Sequence, residues 1–211
     1  MNTLIKICGI RSLEDLKDVK ENKAFWYGLI FFKKSPRNVS VDEAELLVKN
    51  TPKFINPVAV TVNPEESFIK KLISKGIVNI QLHGNESPDF CQYLKNKYNI
   101  KIFKAIGVED YKDIKLADLY TNIADWIIFD KKDDKLYGGT GKNFDWNILS
   151  KIDINIKYII SGGLNHKNVK DALEKTNASG VDVSSGVESE LGVKSKELIK
   201  KFCEAAKMSK R

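Results

Sequence analysis

Eight short apolar runs, rich in β-branched residues, recur along the chain roughly every 25 residues, and each gives way to a polar turn and then to helical periodicity. They are Leu4 to Cys8, Tyr27 to Phe31, Val58 to Val62, Asn79 to Leu82, Lys101 to Ile106, Trp126 to Phe129, Tyr158 to Ser161, and Val181 to Ser184. Most are apolar on both faces rather than alternating. That is the pattern of parallel strands with helices on one side and a packed interior on the other, and it excludes an antiparallel sheet with one wet face.

Helix starts carry their own signals. Ser12 with Asp15 makes a capping-box pattern, Asn63-Pro64 and Ser87-Pro88 place a cap before a first-turn proline, and Asn165 precedes a helix through Val169 and Leu173. Eight βα units in 211 residues predict an α/β fold, a minimal (β/α)8 TIM barrel, with residues 1–211 as a single domain. A doubly wound open sheet is the alternative reading of the same alternation. No stretch reads as a linker, and the units share a pattern without sequence identity.

Composition narrows the class. An apolar content of 42% supports a real core, and 13 Gly and 5 Pro are too few for a collagen-like or disordered chain. The longest apolar run, Phe25 to Phe32, falls well short of the roughly 18 residues that span a bilayer, so no membrane partner is expected. Three cysteines without metal-site spacing indicate neither a disulfide framework nor a Cys-based zinc site. Together with an N-terminus that lacks the pattern of a signal peptide, they predict a reducing, cytoplasmic setting. The net charge is +7, but its lysines sit beside acids, as in Asp15, Lys17, Asp18, Lys20 and Glu21. This reads as solvated helix faces, with steering of an anionic metabolite as the functional remainder, rather than as a nucleic-acid surface.

In a barrel, chemistry gathers at the C-terminal ends of the strands. Those ends are chemically unusual here: Cys8-Gly9, Ser35-Pro36-Arg37, Gln81-Leu82-His83-Gly84, Asp130, Ser161-Gly162-Gly163, and Asp182-Val183-Ser184-Ser185-Gly186. The two late glycine turns suit a phosphate, because glycine lets backbone N–H groups approach a ligand and a following helix start adds positive potential. Cys8 and Asp130, on the first and sixth strands, can face one mouth from different sides as base and acid. A cysteine near a cation or a helix start can fall from about 8.5 toward neutrality, which would make a thiolate base. The bland readings are a buried thiol and an Asp130 paired with Lys131 or Lys132. The planar fork of Arg37 suits a carboxylate. His83 suits an orienting role as well as proton transfer. Cys91 and Cys203 fall in helical segments and read as packing residues.

Six blocks in order, KICGI (Lys6 to Ile10), SPRNV (Ser35 to Val39), IQLHG (Ile80 to Gly84), GGTGKNFDW (Gly138 to Trp146), SGGLN (Ser161 to Asn165) and GVDVSSGVE (Gly180 to Glu188), resemble phosphoribosylanthranilate isomerase of tryptophan biosynthesis over the whole length. The resemblance implies a (β/α)8 barrel and an Amadori rearrangement, an aldose-ketose isomerisation of N-(5′-phosphoribosyl)anthranilate, with no cofactor or metal. It also implies Asp130 as acid, Cys8 as base, Arg37 as the holder of the anthranilate carboxylate, and Gly162, Gly163, Ser185 and Gly186 as the phosphate grip. Gln81, His83 and Asp182 align with pocket residues. The implied partner is the small-molecule substrate alone, for a monomer or homodimer. Two positions depart from the family pattern: Arg11 stands where Thr is usual and Leu191 where Pro is usual. Arg11 close behind Cys8 is expected to depress the thiol further.

Three other functions compete. A ribosyl isomerase of the histidine pathway uses the same fold and rearrangement but is usually served by two carboxylates, and Cys8 argues against it. A catalytically dead scaffold would lack Cys8 or Asp130. A nucleic-acid binder is supported only by the net charge.

Overall fold

The computed structural model describes residues 3–132, 145–151 and 156–209. Its eight long-range strands are β1 (Leu4–Cys8), β2 (Trp26–Phe31), β3 (Asn56–Thr61), β4 (Asn79–Leu82), β5 (Lys101–Val108), β6 (Trp126–Lys131), β7 (Tyr158–Ile160) and β8 (Gly180–Val183). They pair in parallel and in chain order, and β8 returns to β1 with Leu4 opposite Gly180 and Ile7 opposite Val183. The sheet is a closed barrel, so the open-sheet alternative is excluded.

The described residues include seven α-helices: α1 (Leu13–Glu21), α2 (Val41–Lys49), α3 (Glu66–Ser74), α4 (Pro88–Tyr98), α5 (Tyr111–Lys115), α6 (Val169–Lys175) and α7 (Lys196–Lys207). None is long and apolar enough to cross a membrane. Between β6 and β7 the described residues hold only a 3-10 turn, Trp146–Lys151. After β8 the chain departs from a plain βα unit. A 3-10 turn, Ser185–Val187, leads into an antiparallel hairpin of β9 (Glu188–Glu190) and β10 (Val193–Lys194) before α7 begins.

Local chemistry explains most helix starts. The Ser12 hydroxyl accepts from the Asp15 N–H at 3.0 Å while Asp15 accepts from the Ser12 N–H at 3.2 Å, a complete capping box. Ser12→Ala should therefore lower stability by about 1 kcal/mol, read as a shift in the urea midpoint at constant slope. Ser87 caps α4 with Pro88 in its first turn, as expected. Asn63-Pro64 does not cap α3, which begins at Glu66. Asn63 sits instead at φ +45°, where its Oδ1 accepts from the Asn85 N–H and its own N–H donates to Glu86, stitching the loop after β3 to the loop after β4. Asn165 lies a turn ahead of α6, accepting from the Lys167 N–H.

Strand alternation sorts the core. On β1, Ile5 and Ile7 join the layer between barrel and helices, while Lys6 and Cys8 point inward. The interior at the N-terminal ends is apolar, filled by Trp26, Val58, Phe103, Ile128 and Ile159, with Trp26 edge-on to Phe103 and Trp126 at 5.4 and 5.0 Å. Farther along the strands the buried interior turns polar, with Lys6, Gln81, Asp182 and Asp130. Apolar packing closes the barrel at one end, and the polar residues face the cavity at the other.

Candidate active site

The strand ends surround a cavity that opens to solvent. Cys8, Arg37, Gln81, His83, Asp130, Asp182, Gly162, Gly163 and Ser185 all line it, so the fold brings together residues that are far apart in sequence. Gly186 does not line it. A Cβ there would run into the Leu164 carbonyl, so this glycine lets the turn after β8 lie directly on the loop after β7. Of the block Gly138 to Trp146, residues 138–144 lie outside the described residues.

Cys8 ends β1 opposite Gly28, and a Cβ on Gly28 would lie 2.6 Å from the sulfur, so the thiol uses space that only glycine leaves. The expected acidic thiol is corrected. Burial pushes the Cys8 thiol up, and Lys6 and Lys194 offset this only in part, with Asp182 adding to the rise. Arg11 is not the neighbouring cation, because its Nη1 donates to the Pro36 carbonyl at 3.2 Å.

Asp130, on β6, is 5% exposed. Its Oδ1 accepts from the Lys131 N–H at 2.8 Å, and its Oδ2 lies 3.5 Å from His83 Nε2. Lys132 reaches Asp113 instead, at 3.3 Å. The other ring nitrogen of His83, Nδ1, lies 2.9 Å from Gln81 Nε2, so the amide orients the ring that faces the acid. Gln81 Oε1 and Asp182 Oδ1 are buried without a hydrogen-bond partner among the described residues. Buried acceptors of that kind are costly unless a ligand satisfies them.

The loop after β7 holds Gly162 at φ +79° and Gly163 at φ +67°, backbone that favours glycine. Their N–H groups meet no acceptor among the described residues. A Cβ on Gly162 would lie 2.6 Å from the Lys131 nitrogen and 2.8 Å from Asp130 Oδ1, so this loop packs directly against the strand end that carries Asp130.

Arg37 is 4% exposed and its fork is already engaged: Nε and Nη2 each donate to Glu188 at 2.7 Å. Lys194 donates to the same carboxylate at 2.7 Å and to the Ser184 carbonyl at 2.9 Å. Burial alone would raise the Glu188 carboxyl, and the two cations bring it below its usual range. Glu188, Lys194 and Lys6 are the functional-site neighbours that sequence reasoning did not single out. Glu188 and Lys6 lay inside quoted blocks, but nothing in their spacing revealed their partners.

Residues 5–205 match the family model described as N-(5′phosphoribosyl)anthranilate (PRA) isomerase. An N-(5′-phosphoribosyl)anthranilate isomerase of Rhizobium rhizogenes is 42% identical over 97% of this chain and 94% of its own, and one of Rhizobium etli is 43% identical over 95% and 92%. Among solved structures, phosphoribosyl anthranilate isomerase of Thermotoga maritima superposes with a TM-score of 0.89 at 35% identity, covering 97% of this chain and 98% of that one. A phosphoribosyl anthranilate isomerase in complex with reduced 1-(o-carboxyphenylamino)-1-deoxyribulose 5-phosphate has a TM-score of 0.86 at 32% identity, covering 97% of this chain and 98% of that one. The Thermotoga maritima enzyme is described as dimeric. A closed eight-stranded barrel, a thiol and a carboxylate at one mouth, and full-length similarity lead to one conclusion: the chain belongs to the N-(5′-phosphoribosyl)anthranilate isomerase family.

Proposed function

We propose that the isomerase activity this chain shares with its family is carried by Asp130 as general acid and Cys8 as general base. The observation that carries the assignment is their placement on β6 and β1, facing one cavity with the glycine loop beside them. Asp130 protonates the furanose ring oxygen, and the ring opens to a Schiff base. Cys8 then removes the C2′ proton, and the resulting enolamine tautomerises to the ketone.

The remaining groups place the substrate. Gly162 and Gly163 offer N–H groups to the phosphate, with Ser185 beside them and Gly186 bringing the two loops together. Arg37 Nη1, on a fork held by Glu188, meets the anthranilate carboxylate. Gln81 Oε1 and Asp182 Oδ1 accept from ribose hydroxyls, and His83 steadies Asp130. The substrate is the partner of this site, and we place the enzyme in the cytoplasm as a monomer or homodimer whose single barrel domain spans residues 1–211. The experiment is a turnover assay with N-(5′-phosphoribosyl)anthranilate beside the aminoimidazole substrate of the histidine pathway. Turnover of the first alone is expected, and turnover of the second alone overturns the reading.

The phosphate grip makes its own prediction. Inorganic phosphate should inhibit competitively, and Gly163→Val should lose that inhibition, because φ +67° strains a β-branched residue and the side chain blocks backbone approach. Steady-state inhibition at tens of millimolar checks it. The steering expectation is separable: kcat/KM should fall with added chloride in wild type and variant alike, because it rests on distant charge.

A further inference from the structure

Lys6 is fully buried inside the barrel, and the mechanism above does not use it. Its Nζ donates to Asp182 Oδ2 at 2.7 Å, across a register that places Lys6 opposite Asp182 on the adjoining strand. Two residues farther along β1, on the same inward face, stands Cys8. Both side chains converge on the empty side of Gly28. A Cβ at that glycine would lie 2.6 Å from Cys8 Sγ and 3.2 Å from Lys6 Nζ. A buried ion pair offers little stability over an apolar filling of the same volume, so stability alone gives little reason for a charge there.

We propose that Lys6, anchored by Asp182, is the positioning residue whose ammonium favours the thiolate form of Cys8. The proposal rests on the reading of Cys8 as base, and it concerns the thiol itself, which can be titrated without turnover. Among the described residues, charged groups act on the thiol from four places in the fold. Lys6 is on its own strand, Asp182 on β8, Lys194 on β10, and Arg37 in the loop after β2. Lys194 and Arg37 are both tied to the Glu188 carboxylate, which offsets part of their charge, and Asp182 opposes the thiolate. Lys6 is the cation that reaches over the same glycine as the sulfur. Burial works against its charge, yet Asp182 and Cys8 hold its pKa above the ordinary lysine value, so it stays an ammonium throughout the working range.

The test is the pH dependence of Cys8 alkylation by iodoacetamide, with the modified cysteine identified by peptide mapping to separate Cys8, which lines the cavity, from Cys91 in α4 and Cys203 in α7. Lys6→Met keeps length and removes charge. A cation within a few ångströms lowers an acid's pKa by about one to three units, so alkylation at neutral pH should slow about tenfold or more, with the titration displaced to higher pH. Turnover should show the same signature, a lower kcat with KM little changed and partial recovery as pH rises, which a merely structural lysine would not give.

Lys6→Met leaves Asp182 without its partner, so the volume-matched double variant Lys6→Met/Asp182→Asn, which buries no charge, carries the same expectation for alkylation should the single variant not fold. Wild-type alkylation rates in a folded variant overturn the proposal. If Cys8→Ala keeps its turnover while Lys6→Met still slows alkylation, the reading of Cys8 as base fails and the influence of Lys6 on the thiol stands.

Discussion

Cys8→Ala and Asp130→Asn are each expected to lower kcat by about 10²-fold or more, with KM changed far less, because each removes a proton-transfer group and leaves the substrate contacts in place. Steady-state kinetics on the two variants decides the assignment, and near-normal turnover in either would sink it. The pH profile gives a second check with a definite sign. Burial holds the Cys8 thiol above its ordinary value, and a base works only when deprotonated, so kcat/KM in wild type should climb as pH rises into the alkaline range. Cys8→Ala should lose that climb. The same upward displacement means that the fold favours the neutral thiol. The stability this contributes is complete below the thiol's unfolded pKa and is lost as pH rises through the folded value.

Arg37→Ala is expected to raise KM on the order of 10- to 100-fold, because a charged hydrogen bond to a carboxylate contributes about 1.5 to 3 kcal/mol. The structure refines what that measurement reports. Glu188 occupies Nε and Nη2, which leaves Nη1 to meet the ligand from a fork that cannot turn. Replacing Arg37 also removes one of the two cations that hold Glu188, so a thermal melt of the variant should accompany the kinetics. An unchanged KM would make Arg37 a structural partner of Glu188 alone.

The parallel strands were legible because buried β-branched runs have few other uses, and all eight stand within two residues of the observed bounds. The mouth that holds the candidate site was legible for a related reason: strand ends in this architecture fall at fixed places, so Cys8, Asp130 and the glycine turns could be located by counting. Partnerships were not. The tie from Arg37 to Glu188 spans 151 positions and that from Lys6 to Asp182 spans 176, and no local pattern encodes either. Asn63-Pro64 misled because an Asn before Pro signals a helix cap locally, while this side chain is used by a loop one strand away. The hairpin after β8 was missed because Glu188–Glu190 and Val193–Lys194 are too short and too mixed to read as strands. The direction of the Cys8 shift was misread because burial, which dominates it, is a property of the closed barrel.

The seam between β1 and β8 bears on how the protein folds. Strands next to each other in the chain pair after closing loops of a few tens of residues, whereas this last pair must join Leu4 to Gly180. Loop closure grows costlier with length, and topologies rich in distant contacts fold slowly. The Lys6–Asp182 pair, the Arg37–Glu188 fork and the bond from the Ser184 hydroxyl to the Cys8 carbonyl all cross that seam. A partly folded or nascent chain in which the first strands have paired therefore has secondary structure and part of its core but no assembled site. Catalytic competence arrives with the final closure, and until then an open strand edge on each side of the gap is exposed to pairing with another chain.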